Sequence, residues 1–181
     1  MRPLLEAAGY RVVLTRSEDV FIGKPERTII ANTNRADVFV SLHFNALPKD
    51  TKTSGIEIFS FAPRGQRSTD SWSPGQGNDT ETTFSPVNRW DYWSSVLAHA
   101  LQGRLVRDLN VFDRGKKIAH WGVLRGLNCP GVLVECGFLT SETEARKIAT
   151  EAYRQRLAET LVAGVIDYAR RAGGGQALRA E

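Results

Sequence analysis

Only two cysteines occur in the 181 residues, Cys129 and Cys136, one on each side of the apolar run PGVLVE. If that run is a strand, a rise of ~3.3 Å per residue keeps the two thiols about 20 Å apart, beyond disulfide reach, so both are expected to be free. No apolar stretch approaches the ~20 residues that a membrane-spanning helix needs. The N-terminus also lacks the charged, apolar and small-residue zones of a signal peptide. Taken literally, these absences describe a cytoplasmic chain, an expectation that holds only if Met1 is the native start. Basic runs are missing too. The net charge is +4 and the sequence pI about 9.3, but Arg and Lys stand singly or in pairs beside Asp and Glu, with no aromatic stacking pattern. That argues against nucleic acid as a partner and leaves a weak preference for an anionic one. Histidine is scarce, with three in the chain. There are no internal repeats.

What is present suits one domain, long enough to bury a core without disulfide or metal staples. RPLLEAAGY reads as the last turns of an amphipathic helix closed by Gly9. RVVLTR, from Arg11 to Arg16, reads as a short buried strand. Residues 24–36 read as a helix with Pro25 in its first turn and Ile29 and Ile30 facing inward. ADVFVSLHFNA supplies the next strand, so strand, helix and strand predict a parallel βαβ unit. GIEIFSF alternates as a third strand. Residues 62–90 form a Ser-, Gly- and Thr-rich insertion carrying Trp72 and Trp90 with Trp93 close behind, long enough to suggest a lid or binding loop. A long helix is expected over Asp91 to Leu109, then a turn around DRGKK, then the segment IAHWGVLRG. The buried strand GVLVECGFL follows, from Gly131 to Leu139. Ser141 and Glu144 form a capping-box pattern before the helix SETEARKI, and Tyr153 to Arg170 reads as a final amphipathic helix. The GGGQALRAE tail, 173–181, is expected to be flexible. Alternation of strands and helices predicts an α/β fold with a mostly parallel central sheet covered by helices on both faces.

Two strands end on polar groups. His43 closes the run VFVSL, and Glu135 lies near the end of GVLVE. A carboxylate there is expensive to bury unless it is paired, protonated or beside a cation. Two readings stand open for it: an ion pair with an arginine such as Arg125, or a role in a site. His43, likewise, is either an ordinary core or surface residue or a metal ligand. In open α/β sheets ligands bind beyond the carboxyl ends of the strands, which is where both residues are expected. Neutral imidazole ligates zinc, and a nearby carboxylate suits a general base, so the pair suggests zinc-assisted hydrolysis. The other histidines suggest less: His99 reads as a residue on a helix face, and His120 as a packing or substrate contact. Glu57 could face either side of its strand.

Four blocks occur in order: GYRVVLTRSED, PERTIIANTNRADVFVSLHFNA, GIEIFSF and DRGKKIAHWGVLRGLNCPGVLVECGFLTSETEARKI. Together they resemble the zinc-dependent N-acetylmuramoyl-L-alanine amidases of bacterial cell division and lytic enzymes, from about Leu4 to Ala172. The resemblance implies a catalytic domain at 1–172, with His43 of the S-x-H-x-N-A block as a zinc ligand and Glu135 of the V-E-x-G-F block as catalytic acid/base. Asn45 and Arg125 fall in family-like blocks and are candidate substrate-binding residues. The implied cofactor is Zn2+, and the implied partner is peptidoglycan, with an activator protein as a further family partner. The implied location is the periplasm or cell exterior. Family members begin with a strand ending in a glycine-flanked histidine, followed by a glutamate, and these are the other two zinc ligands. This sequence starts after both, so the resemblance implies a missing first strand and an incomplete zinc site. A non-catalytic relative that binds peptidoglycan or a partner is the competing expectation.

Overall fold

The computed structural model describes residues 1–69 and 78–173. Trp72 and the tail from 174 onward therefore lie outside the described residues. Among the described residues six α-helices and four strands follow one another: α1 (Arg2–Ala7), α2 (Lys24–Thr33), β1 (Phe39–Asn45), β2 (Ile56–Phe61), α3 (Asp91–Leu109), β3 (Asp113–Ala119), α4 (Gly122–Arg125), β4 (Gly131–Phe138), α5 (Glu142–Ala149) and α6 (Glu151–Arg171). A 3-10 turn, Pro86–Trp90, leads into α3.

The sheet runs in the order β1-β4-β2-β3. β1 with β4 and β2 with β3 are parallel pairs, whereas β2 and β4 are antiparallel. The sheet is thus mixed, two parallel pairs joined back to back. Helices cover both faces, as the alternating pattern predicts. On one face Ile56, Ile58, Val132 and Val134 pack with Leu97, Leu101 and Leu105 of α3 and Leu157, Leu161 and Val165 of α6. On the other, Phe39, Phe59, Phe61 and Leu133 pack with Ala31 of α2 and Val123 and Leu124 of α4. Cys129 and Cys136 are free and buried, and burial pushes both thiols up to about 12. They are inert at neutral pH.

Several local expectations fail for physical reasons. Arg11 to Arg16 forms no strand. Residues 13–16 run beside the outer edge of β1, but a cavity of about 300 Å3 separates them from it. Backbone groups with no ladder to join stay irregular, and Val13 and Leu14 remain 40% and 46% exposed. The parallel βαβ unit therefore does not form. α2 stops at Thr33, with Thr28 and Ala31 inward and Ile29 59% exposed. DRGKK is the start of β3 rather than a turn. Trp93 lies inside α3 and packs edge-on against Tyr168 at 6.3 Å, as a core anchor.

The capping box before α5 is also absent, since the Ser141 side chain makes no cap bond. Glu144 is used elsewhere. Its carboxylate accepts from the backbone N–H of Phe138 at 2.7 Å and of Gly55 at 2.9 Å, tying the end of β4 to the entry of β2. Charge-assisted bonds to buried amides are strong, so Glu144→Ala is expected to cost about 2 kcal/mol. Urea denaturation checks this, and a wild-type midpoint would show that the clasp is redundant.

Candidate active site

Strand pairing builds the site. His43 on β1 stands opposite Glu135 on β4, and Glu135 stands opposite Glu57 on β2. Partners directly opposite in a sheet share a face, so the three form one row on the face that carries Phe39, Phe59 and Leu133. Alternation adds Ser41 and Asn45 to that face, two residues on either side of His43. The row sits near the C-terminal ends of β1 and β4, where the sequence placed His43 and Glu135.

Two bulges shape its ends. From His43 to Asn45 is two steps on β1, but the partners on β4 run three steps, from Glu135 to Phe138. The extra residue falls beside Gly137, at φ +128°, a conformation open to glycine. Glu135 is thus the last regularly paired position before the strand bends away. On β3 the partners of Ile56 and Ile58 are Asp113 and Lys116, again three steps for two, with Gly115 at φ +85°. In a regular strand residues three apart face opposite ways. The bulge lets both Arg114 and Lys117 reach Glu57, at 3.1 and 2.7 Å.

Glu57 is 4% exposed and satisfied on several sides, since Asn45 Nδ2 also donates to it at 3.1 Å. Glu135 is different. Its Oε2 atom is buried without a hydrogen-bond partner, and burial, followed by the like charge of Glu57, pushes the carboxyl from 4.5 up to about 7. The expected alternative, an ion pair with Arg125, does not form: Arg125 pairs with both carboxylate oxygens of Glu81 and stacks over Phe61 at 5.3 Å.

His43 is held by Ser41, whose Oγ lies 2.8 Å from Nε2. Burial lowers its pKa, and Arg27 and Arg16 lower it further, so the ring stays neutral at pH 7. In the tautomer whose Nε2–H donates to Ser41 Oγ, the Nδ1 lone pair is the one left for a cation.

The candidate residues are thus partly gathered. His43, Glu135 and Asn45 share the row, while Arg125 is committed to Glu81. Asn45 is knotted into the backbone, with Ala46 N donating to its Oδ1 at 2.7 Å and Leu139 N to its carbonyl oxygen at 2.8 Å. His99 is exposed on α3. His120 has a side chain only 7% exposed, with Nδ1 3.2 Å from Ser68 Oγ and 3.3 Å from Asp79 Oδ2. Sequence reasoning left the face of Glu57 open and missed Ser41, Arg114 and Lys117. Strand alternation from His43 was enough to find Ser41, but the other three depend on strand order.

Residues 1–167 match the N-acetylmuramoyl-L-alanine amidase family Amidase_3. The amidase LytC of Bacillus subtilis is 32% identical over 168 residues, covering 92% of this chain and 28% of LytC. The crystal structure of an N-acetylmuramoyl-L-alanine amidase from Clostridium difficile 630 superposes with a TM-score of 0.70 at 32% identity, covering 93% of this chain and 79% of that one. The CwlD amidase of Clostridioides difficile, solved in complex with the GerS lipoprotein, gives 0.72 at 25% identity, covering 94% and 81%. The chain spans less than two thirds of the length of the curated relatives it matches first. By its fold and its family match, the chain belongs to the N-acetylmuramoyl-L-alanine amidase family.

Proposed function

We propose that residues 1–172 are the catalytic part of a peptidoglycan hydrolase. It would cleave the amide between the lactyl group of N-acetylmuramic acid and the L-alanine of the stem peptide. One observation carries this reading: Glu135 presents a buried, unpartnered carboxylate oxygen opposite His43, with its pKa raised to about 7. Such a group takes a proton from water near neutral pH and can return it to a departing amine. A scissile carbonyl bound beside the imidazole would lie close to that proton transfer, which supports the reading.

The donor set suits zinc in kind, one neutral imidazole and a nearby carboxylate, but falls short in number. Among the described residues no group of three His, Cys, Asp or Glu could hold a metal ion. When bound, zinc would supply a more acidic water and an electrophile for the carbonyl oxygen. His43 is the residue here that would hold it, with Ser41 fixing the ring. A lone imidazole binds zinc weakly compared with a three-ligand site. Isothermal titration of the 181-residue chain with zinc is therefore expected to show no tight one-to-one event. A sub-micromolar isotherm would mean that ligands beyond His43 are already in place.

Peptidoglycan lies outside the cytoplasm, so the proposed location is the periplasm or cell exterior. Among the described residues no helix is long and apolar enough to cross a membrane. The complex of CwlD with the GerS lipoprotein supports a protein partner for this chain, and an activator is the partner proposed.

Product analysis tests the reading. Sacculi incubated with stoichiometric protein and excess zinc are expected to gain L-alanine amino termini while the glycan chains stay intact. New reducing ends or trimmed stems would overturn it. Sacculus binding with no product at all would favour a second reading, a non-catalytic peptidoglycan-binding relative, to which the shortfall of metal ligands lends support.

A further inference from the structure

The geometry points to Trp121 as a stacking platform for the glycan strand, a sugar subsite beside the catalytic row. This rests on the hydrolase reading for the identity of its ligand. Trp121 is 38% exposed, although indole is among the side chains most favoured for burial or for contact with a ligand. It is held in place by a T-shaped contact with Phe59, with centroids 5.8 Å apart and an interplanar angle of 88°. Phe59 is 2% exposed and lies two residues from Glu57 on β2, on the same face of the sheet. Strand spacing then places the indole roughly 10–15 Å from Glu135, about the span of two pyranose rings.

The backbone on both sides of Trp121 is pinned. Before it, Thr69 Oγ1 bonds both the carbonyl oxygen and the N–H of Ile118, at 3.0 and 3.3 Å. His120 N donates to Ser68 Oγ at 3.1 Å, and the His120 ring packs edge-on to Phe61 at 5.4 Å. After it, Arg125 is clamped by Glu81. Both legs of the insertion thus brace the β3–α4 corner. The ring is presented by a fixed scaffold, and ordering it on binding costs little. A flat, partly apolar indole face complements the axial C–H face of a pyranose. Lys117, paired with Glu57 at 2.7 Å, has its ammonium 5.5 Å from the Phe59 ring centre, so the platform stands beside the charged end of the row. The ligand class is an N-acetylated hexosamine of the glycan backbone, flanking the sugar whose stem is cut.

The test uses a stem-free N-acetylglucosamine tetramer and intact sacculi, with the whole chain. The Trp121 indole N–H resonance, assigned by its loss in Trp121→Phe, is expected to shift on adding the tetramer. Trp121→Ala is expected to weaken tetramer binding at least fivefold, and Trp121→Phe by less than half as much. Against sacculi, Trp121→Ala is expected to raise KM with little change in kcat. Trp121→Leu keeps an apolar contact for Phe59 without the flat face, so it decides the matter if the alanine variant does not fold. Wild-type tetramer affinity in the Leu or Ala variant, or no indole shift at millimolar tetramer, would overturn the subsite. Tetramer binding that depends on Trp121, with no amide cleavage by any form, would keep the subsite and remove the hydrolase reading. Cleavage with an unchanged KM in the Leu variant would do the reverse.

Discussion

Glu135→Gln is expected to lower amide hydrolysis by about 10²–10⁴-fold, the range that a positioned acid/base supplies, and to stabilise the metal-free protein above pH 7. Both effects come from the same burial. The folded carboxyl titrates at about 7 against an ordinary 4.5, pushed up by burial and then by Glu57. A carboxyl raised on folding holds a proton in the native state that the unfolded chain has released. Its contribution to stability is therefore full below pH 4.5 and is lost as pH rises through 7. At ~1.4 kcal/mol per pK unit, and discounted because Glu135 is partly solvent-exposed, the loss is about 2 kcal/mol. Glutamine is isosteric and does not titrate. Its urea midpoint should vary little across this window, standing above wild type at pH 8 and not at pH 4.5. Turnover within tenfold of wild type, or a variant less stable at pH 8, would remove Glu135 from the role assigned to it.

The second large effect is expected at Glu57, which Glu135 separates from His43 in the row. Glu57→Gln removes the carboxylate shared by Arg114 and Lys117 and is expected to cost about 2–3 kcal/mol. That is below the usual figure for breaking a buried pair, because both cations keep contact with water. The same change removes a like charge facing Glu135 across β2 and β4. The Glu135 pKa should fall toward the ordinary glutamate range without reaching it, since burial is the larger cause. The acid limb of the rate–pH profile should then move to lower pH, with more activity retained at pH 6. An unmoved limb would mean that Glu57 is only a structural tie. Stabilities of both single variants and the double variant should be non-additive, because the two carboxylates share one row.

Much of this was legible in the chain. The β-rich runs at 38–43, 56–61 and 131–138 alternate or stay apolar, and the structure forms strands there. The 3.6-residue period of 91–109 gave a helix with those ends. His43 and Glu135 could be named because each interrupts an apolar strand with a group that is costly to bury. RVVLTR misled because apolar content says that a segment can be buried, while becoming a strand also requires a partner within hydrogen-bonding distance, and a cavity keeps this segment off the edge of β1. DRGKK misled in the opposite direction. Its glycine and charges resemble a turn, yet Gly115 makes a bulge and two of the charges, Arg114 and Lys117, reach Glu57. Ser141 and Glu144 fit a local cap, but two backbone amides from β2 and β4 outcompeted it for the carboxylate.

Apart from RVVLTR and DRGKK, the sequence by itself determined the main element types, the two-sided burial of the central strands and the polar residues at their ends, all properties of local pattern. Tertiary structure alone decided the strand order and the antiparallel pairing of β2 with β4. Register between distant strands is set by packing across the whole sheet. That pairing puts Glu57 opposite Glu135, and its like charge adds to burial in raising the Glu135 carboxyl to about 7, which is what suits Glu135 to the acid/base role proposed for it.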